Sequence, residues 1–469
     1  MKNLLIKSVL FLSFLFTPLF ANASEVDGAT LSLLWGIPFV GILLSIALFP
    51  LFLPQIWHAH FGKITAGWAL AFLLPFGFAF GFSVTTEVVA HAMLAEYIPF
   101  IILLLSLFTV SGGIFVKGNL HGSAKLNTGL LLLGTILASL MGTTGAAMLL
   151  IRPLIRANDN RKHKVHVIIF FIFLVANIGG GLTPLGDPPL FLGFLKGVDF
   201  FWTLEHMLMP VALTSAILLV VFFLLDSYYY SKENEVEKPD PSPDSRIQIL
   251  GKSNFLLLLC VVGGVLLSGF WKPGISFTIL GTDVELQNIV RDLLLLGIAV
   301  VSMLTTSKAI REDNQFNWEP ILEVGKLFAG IFVTIAPVIA ILRAGLDGHM
   351  APLVSMVSDS NNMPVDSMYF WMTGVLSSFL DNAPTYLVFF NLASGDALHL
   401  MNDLAPTLLA ISMGSVFMGA MTYIGNAPNF MVSSIAFQAG IKMPSFFGYM
   451  KWSVCFLVPI FLLLTFIFF

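Results

Sequence analysis

Two aspartates set among helix-breaking residues are where this chain could do chemistry. Asp187 lies in Thr183-Pro-Leu-Gly-Asp-Pro-Pro189, and Asp381 lies in Leu380-Asp-Asn-Ala-Pro-Thr385. A carboxylate inside an apolar segment is costly to keep unless it binds a cation, holds a proton or caps a helix. Each aspartate shortly precedes proline, so capping a half-helix is one reading of both. A cap can also present its second oxygen to an ion. Four interruptions share this character: Ser139–Gly145, Asn177–Pro189, Leu380–Thr385 and Thr422–Asn429. Each joins Gly or Pro to small oxygen-bearing side chains. Freed carbonyls and such oxygens suit a hard cation such as Na⁺, while half-helix N-termini attract anions. The candidate cation and substrate ligands are Thr143 and Thr144, Asn177, Thr183 and Asp187, Asp381, Asn382 and Thr385, and Thr422, Asn426 and Asn429. Asp187 and Asp381 are the acidic members, and protons would compete with Na⁺ for them.

The elements that must carry these breaks are membrane-spanning helices. The chain is 57% hydrophobic and 11% charged, far below the roughly 25% charge of a soluble domain. Apolar runs of about 20 residues, enough to cross a bilayer, fall near 29–53, 64–83, 97–116, 166–194 and 204–225. A second set falls near 254–271, 290–305, 320–343, 406–436 and 446–468. Two further apolar stretches, 126–156 and 365–393, are interrupted at their centres. The first has basic residues at both ends, and the second is flanked by segments without Lys or Arg. The positive-inside rule therefore makes them re-entrant hairpins from opposite sides. Connections assigned to the cytoplasm then carry 15 basic residues. The external ones carry 4, namely Lys196, Lys272, Arg291 and Arg343. The expected fold is an all-α polytopic membrane protein of two inverted repeats, each with five spanning helices and one hairpin. The first repeat is 24–230, the second 254–469, with a cytoplasmic linker at 231–253. An internal match supports the repeat. Thr183–Pro189 lies over Thr422–Pro428 at an offset of 239, pairing Asp187 with Asn426, and the hairpin tips match at an offset of 240.

Residues 1–23 read as a cleavable signal peptide: Lys2 and Lys7, an apolar run, then Ala21-Asn22-Ala23. Cleavage would leave the N-terminus outside a bacterial-type inner membrane. An uncleaved first helix is the alternative. Cys260 and Cys455, the two cysteines, both sit in apolar runs, so no disulfide framework or Cys-ligated metal is expected. Glu87 and His91, spaced one helical turn apart, could sense pH or form a solvated face. His58 and His60 fall in a short cytoplasmic turn. Glu323 and Lys326 suggest an ion pair. Gly251-Lys252-Ser253 lacks the upstream glycine of a phosphate-binding loop, which disfavours an ATP-driven pump. An intramembrane enzyme would need a His-Glu-x-x-His or Gly-x-Ser-x-Gly motif, and neither occurs.

Ala176-Asn-Ile-Gly-Gly-Gly-Leu-Thr-Pro-Leu-Gly-Asp-Pro-Pro189 resembles the signature broken helix of the ion transporter superfamily. That group includes NhaD-type sodium/proton antiporters, citrate and dicarboxylate symporters, arsenite permeases and the melanosomal P protein. Ser378-Phe-Leu-Asp-Asn-Ala-Pro-Thr385 and Ser139-Leu-Met-Gly-Thr-Thr-Gly-Ala-Ala-Met148 resemble its two hairpin tips. The resemblance covers most of 64–469 and implies cation sites at the tips and broken helices. By it, Thr143 and Thr144 serve the first tip, and Asn382 and Thr385 the second. Met141-Gly142-Thr143 replaces the Ser-Asn-Thr triplet of the dicarboxylate branch, which argues against a dicarboxylate. The expected function is sodium/proton antiport by alternating access, with a Na⁺- or H⁺-coupled citrate-type carrier as the alternative. No cofactor or resident metal is expected. The expected partners are the lipid bilayer, a small cation and, in the alternative, a carboxylate. A homodimer is compatible with this plan, and no nucleic acid is involved.

Overall fold

A computed structural model describes residues 27–119, 121–233, 245–361 and 363–469. The signal-peptide reading of 1–23 and the central part of the linker lie outside the described residues. The first half contains α1 (Ile37–Phe52), α2 (Pro54–Phe80), α3 (Phe82–His91) and α4 (Ile98–Ser111), then β1 (Phe115–Asn119). It continues with α5 (Ala124–Met141), α6 (Thr143–Ala157), α7 (Val165–Leu174), α8 (Pro188–Leu195) and α9 (Trp202–Ser231). The second half contains β2 (Ser245–Leu250), α10 (Ser253–Phe270), β3 (Ser276–Ile279), β4 (Thr282–Glu285), α11 (Leu286–Thr305) and α12 (Lys308–Asp313). There follow α13 (Glu319–Arg343), α14 (Ala351–Met356), α15 (Asp366–Phe379), α16 (Asn382–Ala393), α17 (Ala397–Asn402), α18 (Ala405–Met418), α19 (Ala427–Gln438) and α20 (Phe446–Phe468).

Ten helical stretches among the described residues are long and apolar enough to cross a bilayer. The protein is a multi-pass membrane protein, and mostly helical. It is not wholly helical, because β1 pairs antiparallel with β2 and β3 with β4. The β1–β2 pair ties the C-terminal end of the expected linker back to the first half.

Helix boundaries differ from hydropathy in two places. The run expected at 64–83 begins at Pro54, a residue suited to a first helical turn. His58, His60 and Lys63 are exposed positions on this helix, so the His58–His60 pair lies on a helix and not in a turn. The run expected at 97–116 continues backward through a π-helical turn, Ala92–Tyr97, into α3. Polar Glu87, His91 and Glu96 lower the hydropathy there without ending the helix.

The four interruptions fall at the expected places. α5 and α6 form a hairpin closed at Gly142, whose φ of +80° favours glycine. α15 and α16 form the second hairpin, turned at Leu380-Asp381. α7 stops at Leu174 and resumes as α8 at Pro188; α18 stops at Met418 and resumes as α19 at Ala427. Every residue of α7 from His166 to Leu174 is buried, as expected of a helix apolar on all faces. α7 and most of α8 and α18 therefore run through the interior, where freed backbone groups can find protein partners, while α19 is partly exposed.

Candidate functional site

The breaks are held open by side chains bonded to backbone. In the first half, Thr183 Oγ1 donates to Ser139 O at 2.5 Å, and Ser139 Oγ donates to Gly179 O. In the second, Thr422 Oγ1 donates to Ser378 O at 2.5 Å, and Ser378 Oγ donates to Met418 O at 3.0 Å. Leu185 N–H and Ile424 N–H bond back to the two threonine hydroxyls, both at 3.2 Å. Each contact recurs at a shift of 239, the separation of Asp187 and Asn426. The hairpin tips thus register at 239 and not at the 240 read from the sequence. The two turns use different breakers, Gly142 and Leu380-Asp381, which obscures the alignment there. A Cβ on Gly186 would lie 2.2 Å from Gly180 O, and one on Gly425 would lie 2.5 Å from Gly419 O. Both breaks need glycine for this close approach.

Asp187 joins all four breaks. Its Oδ1 accepts from Thr143 Oγ1 at 3.1 Å and from Asn426 Nδ2 at 3.1 Å, and its Oδ2 accepts from Asn382 Nδ2 at 2.6 Å. At the shift of 239, Thr143 corresponds to Asn382 and Asp187 to Asn426. The side chain of Asp187 makes no capping bond to α8, so the capping reading fails for it. It is only 1% exposed and, among the described residues, has no basic partner. Charge-assisted hydrogen bonds contribute about 1.5–3 kcal/mol each, while burying an ion costs several kcal/mol even after relaxation. Three neutral donors ease that cost without supplying a countercharge. A cation or a proton would supply it. Asn382 Oδ1, on the same side chain that contacts Asp187, is buried with no hydrogen-bond partner.

The other candidates divide in two. Asn177 Nδ2 donates to Asn429 Oδ1 at 2.7 Å, and Asn426 Nδ2 lies 3.3 Å from Asn177 Oδ1. Asn429 Nδ2 in turn satisfies Gly419 O and Thr422 O. These asparagines bind the two interrupted helices to each other. Asp381 caps α16, its Oδ1 accepting from Ala383 N–H at 3.1 Å. Thr385 Oγ1 donates to Asp381 O at 2.9 Å within its own helix. Thr183 and Thr422 serve the backbone. Thr144 lines a cavity.

That cavity, about 490 Å³, contains Thr143, Thr144, Asp187, Asp381 and Asn426 at one end. It extends to His58, Arg152, Gln315, Glu319 and Glu323 at the other. Arg152, which counted only as loop charge in the sequence, lies on α6 about 14 Å along the helix from Thr143 at 1.5 Å per residue. Its Nη2 donates to Gln315 Oε1 at 3.0 Å, and its Nη1 has no partner. Only its place on the hairpin arm, facing the interior, could have signalled this. The expected Glu323–Lys326 pair does not form among the described residues. The Lys326 ammonium instead lies 5.2 Å from the Phe61 ring centroid.

These features define a multi-pass membrane protein with paired helical hairpins, two interrupted helices and a buried polar focus beside a cavity. The chain belongs to the family described as "Putative citrate transport", which matches residues 28–469. This places it in the ion transporter and citrate transporter group that its motifs resemble. It is 24% identical over 271 residues to a 46 kDa membrane protein of Mycobacterium leprae, covering 56% of this chain and 58% of that protein. It is 25% identical over 324 residues to uncharacterized transporters of Mycobacterium bovis and Mycobacterium tuberculosis, covering 66% of this chain and 69% of each.

Proposed function

We propose that the protein is a sodium/proton antiporter in which Na⁺ and H⁺ compete for Asp187 and Asp381. The observation that carries this is the buried Asp187 carboxylate, held by donors from every other break and lacking a basic partner. Two ionised aspartates give the site a charge near −2. Unit charges 4 Å apart interact by about 4 kcal/mol at an effective dielectric of 20, so the site attracts Na⁺ directly and repels an unaccompanied carboxylate. The paired contacts at a shift of 239 support two inverted repeats. Asp187 and Asn426, repeat partners bonded to each other, would then lie beside the axis relating the halves. By charge bias the mouth of the cavity near Arg152 and Glu319 is cytoplasmic, which makes this an inward-facing arrangement.

A second reading has its own support. The family description names citrate, and Arg152 gives the cavity a cation with a free donor. Na⁺ bound at Asp187 could then precede a carboxylate. Proteoliposomes decide between the readings. Addition of Na⁺ or Li⁺ alone should collapse a preset pH gradient. Inert cations together with Na⁺-dependent citrate uptake would replace the antiporter with the carrier. Cysteines at the exposed Ser360 and Asn402 should both be labelled from outside, and one at Lys162 only from the cytoplasm; labelling of the first two from opposite sides would exclude the second re-entrant hairpin.

A further inference from the structure

A second concavity, of about 640 Å³, lies at the far ends of α8 and α16 from the aspartates. α8 runs from the Asp187 break to Lys196, and α16 runs from Asn382 to the turn at Ser394 and Gly395; both ends line the pocket. Three separate segments place cations in it: Lys196 after α8, Lys272 after α10 and Arg343 at the end of α13.

The acidic groups present offset only part of this charge. Lys196 is ion-paired with Glu96. Among the described residues Arg343 commits only its Nε, which donates to Asn391 Oδ1 at 2.9 Å. Lys272 is exposed and makes no hydrogen bond or ion pair among the described residues. Asp396 lines the pocket and keeps its negative charge while its Oδ1 caps α17, accepting from Leu398 N–H at 2.8 Å, so one of the two charges on Lys272 and Arg343 remains in excess.

The placement is also selective. On the topology read from charge bias, the external connections carry four basic residues. Arg291 is buried and paired with Asp292 at 2.8 Å. The other three converge in this one pocket, although like charges repel and external segments are otherwise poor in Lys and Arg. We propose that the pocket is a binding site for an oxyanion, a carboxylate or phosphate group, separate from the ion site. The free edge of the Arg343 guanidinium can take such a group in two parallel bonds, and Lys272 supplies a point charge. The volume lies within the roughly 300–1,000 Å³ of small-molecule sites. An anion there would bridge the chain following α8 to the turn following α16, and so tie together the external ends of the two half-helices whose other ends meet at Asp187.

The test is binding by the purified full-length protein, so it stands or falls independently of any transport result. Citrate and inorganic phosphate are titrated at constant ionic strength against chloride, with melting temperature and calorimetry as readouts. At least one oxyanion should stabilise saturably where chloride does not. Lys272→Gln, an exposed change that leaves folding intact, should weaken apparent affinity by about fivefold, the scale of a partly exposed ion pair. Lys272→Gln with Arg343→Gln should abolish binding, and Asp187→Asn should leave it unchanged. A third arm compares nanodiscs with and without phosphatidylglycerol. Stabilisation by that lipid alone, weakened in Lys272→Gln and lost in the double variant, would identify the oxyanion as a headgroup phosphate. The proposal is overturned if no probe gives a Lys272-dependent effect, or if Asp187→Asn removes the binding.

Discussion

Asp187 and Asp226 are both buried to within 1% of completion, yet their surroundings solve the cost of burial in opposite ways. Asp226, near the end of α9, lies 2.7 Å from Arg161 Nη2 and 2.7 Å from His166 Nε2, and accepts from Asn127 Nδ2 at 2.9 Å. Arg161 also reaches Glu233 at 3.2 Å, and Asn158 bonds Asn127 across the base of the first hairpin. This cluster fastens the start of α5, the loop after α6, the start of α7 and the end of α9 into one unit. Asp226 has its countercharge, Arg161, within the protein. At Asp187 the partners are a hydroxyl and two amides, and no countercharge stands beside it among the described residues. The first arrangement suits a fixed joint. The second suits a site whose occupant comes and goes.

The sharpest break of this comparison is a pair of isosteric changes. Asp226→Asn leaves the buried Arg161 with Glu233 as its remaining ion-pair partner, and removing one member of a buried pair costs up to about 3–5 kcal/mol. Its melting temperature should fall steeply, while the molecules that remain folded transport normally. Asp187→Asn removes a charge that has no partner, so the melting temperature should hold or rise while exchange drops to background. Thermal unfolding and proteoliposome exchange on the same preparations measure both. If the two variants exchange these phenotypes, the assignment of joint and site is reversed.

Asp381→Asn is the next largest. Asn caps about as well as Asp, so α16 should keep its start and the fold its stability. The loss of one charge near the site should lower apparent Na⁺ affinity by about tenfold, equivalent to about 1.4 kcal/mol. Competition also sets a sign with pH. In the parent, protons occupy the carboxylates as pH falls, so the apparent KM for Na⁺ should rise toward acid pH. The variant, with one titratable group fewer, should show a shallower rise between pH 6 and 9. A KM independent of pH in the parent would remove proton competition from the mechanism.

The two aspartates also differ in how visible they were beforehand. Asp187 was legible because Gly, Pro and small polar residues cannot continue a helix, and the motif repeats. Its link to Thr143 and Asn382 was not, since separations of 44 and 195 residues leave no mark on local periodicity. The offset of 239 did pair Asp187 with Asn426, but nothing in an alignment says that repeat partners touch. Asp226 stood out even less. It follows an apolar run at the membrane edge, and its partner Arg161, like Arg152, counted only as loop charge, because the charge bias counts basic residues without their directions. The start of α2 was hidden for a related reason: exposed His58, His60 and Lys63 lower hydropathy without breaking a helix. The β1–β2 pair joins segments more than a hundred residues apart and had no short-range turn to announce it.

The smallest effects should separate residues that the family resemblance treats alike. Thr143 and Thr385 are tip residues by motif, but only Thr143 reaches the carboxylate, donating to Asp187 Oδ1 at 3.1 Å. Thr385 spends its hydroxyl on Asp381 O one turn back in α16. Valine keeps the shape of threonine and deletes the hydroxyl. Thr143→Val should cost one hydrogen bond to a charged group, about 1.5 kcal/mol at the low end of such bonds, and raise the KM for Na⁺ by up to about tenfold. Thr385→Val removes a bond that a helical residue makes to its own backbone, so its KM should stay within about twofold, with any loss confined to a few tenths of a kcal/mol of stability. Equal effects on Na⁺ affinity would mean that both hydroxyls contact the ion in a state other than this one. A larger effect at Thr385 would move the site away from Asp187 toward Asp381, and the contrast with Asp226 would then have to be drawn from that carboxylate.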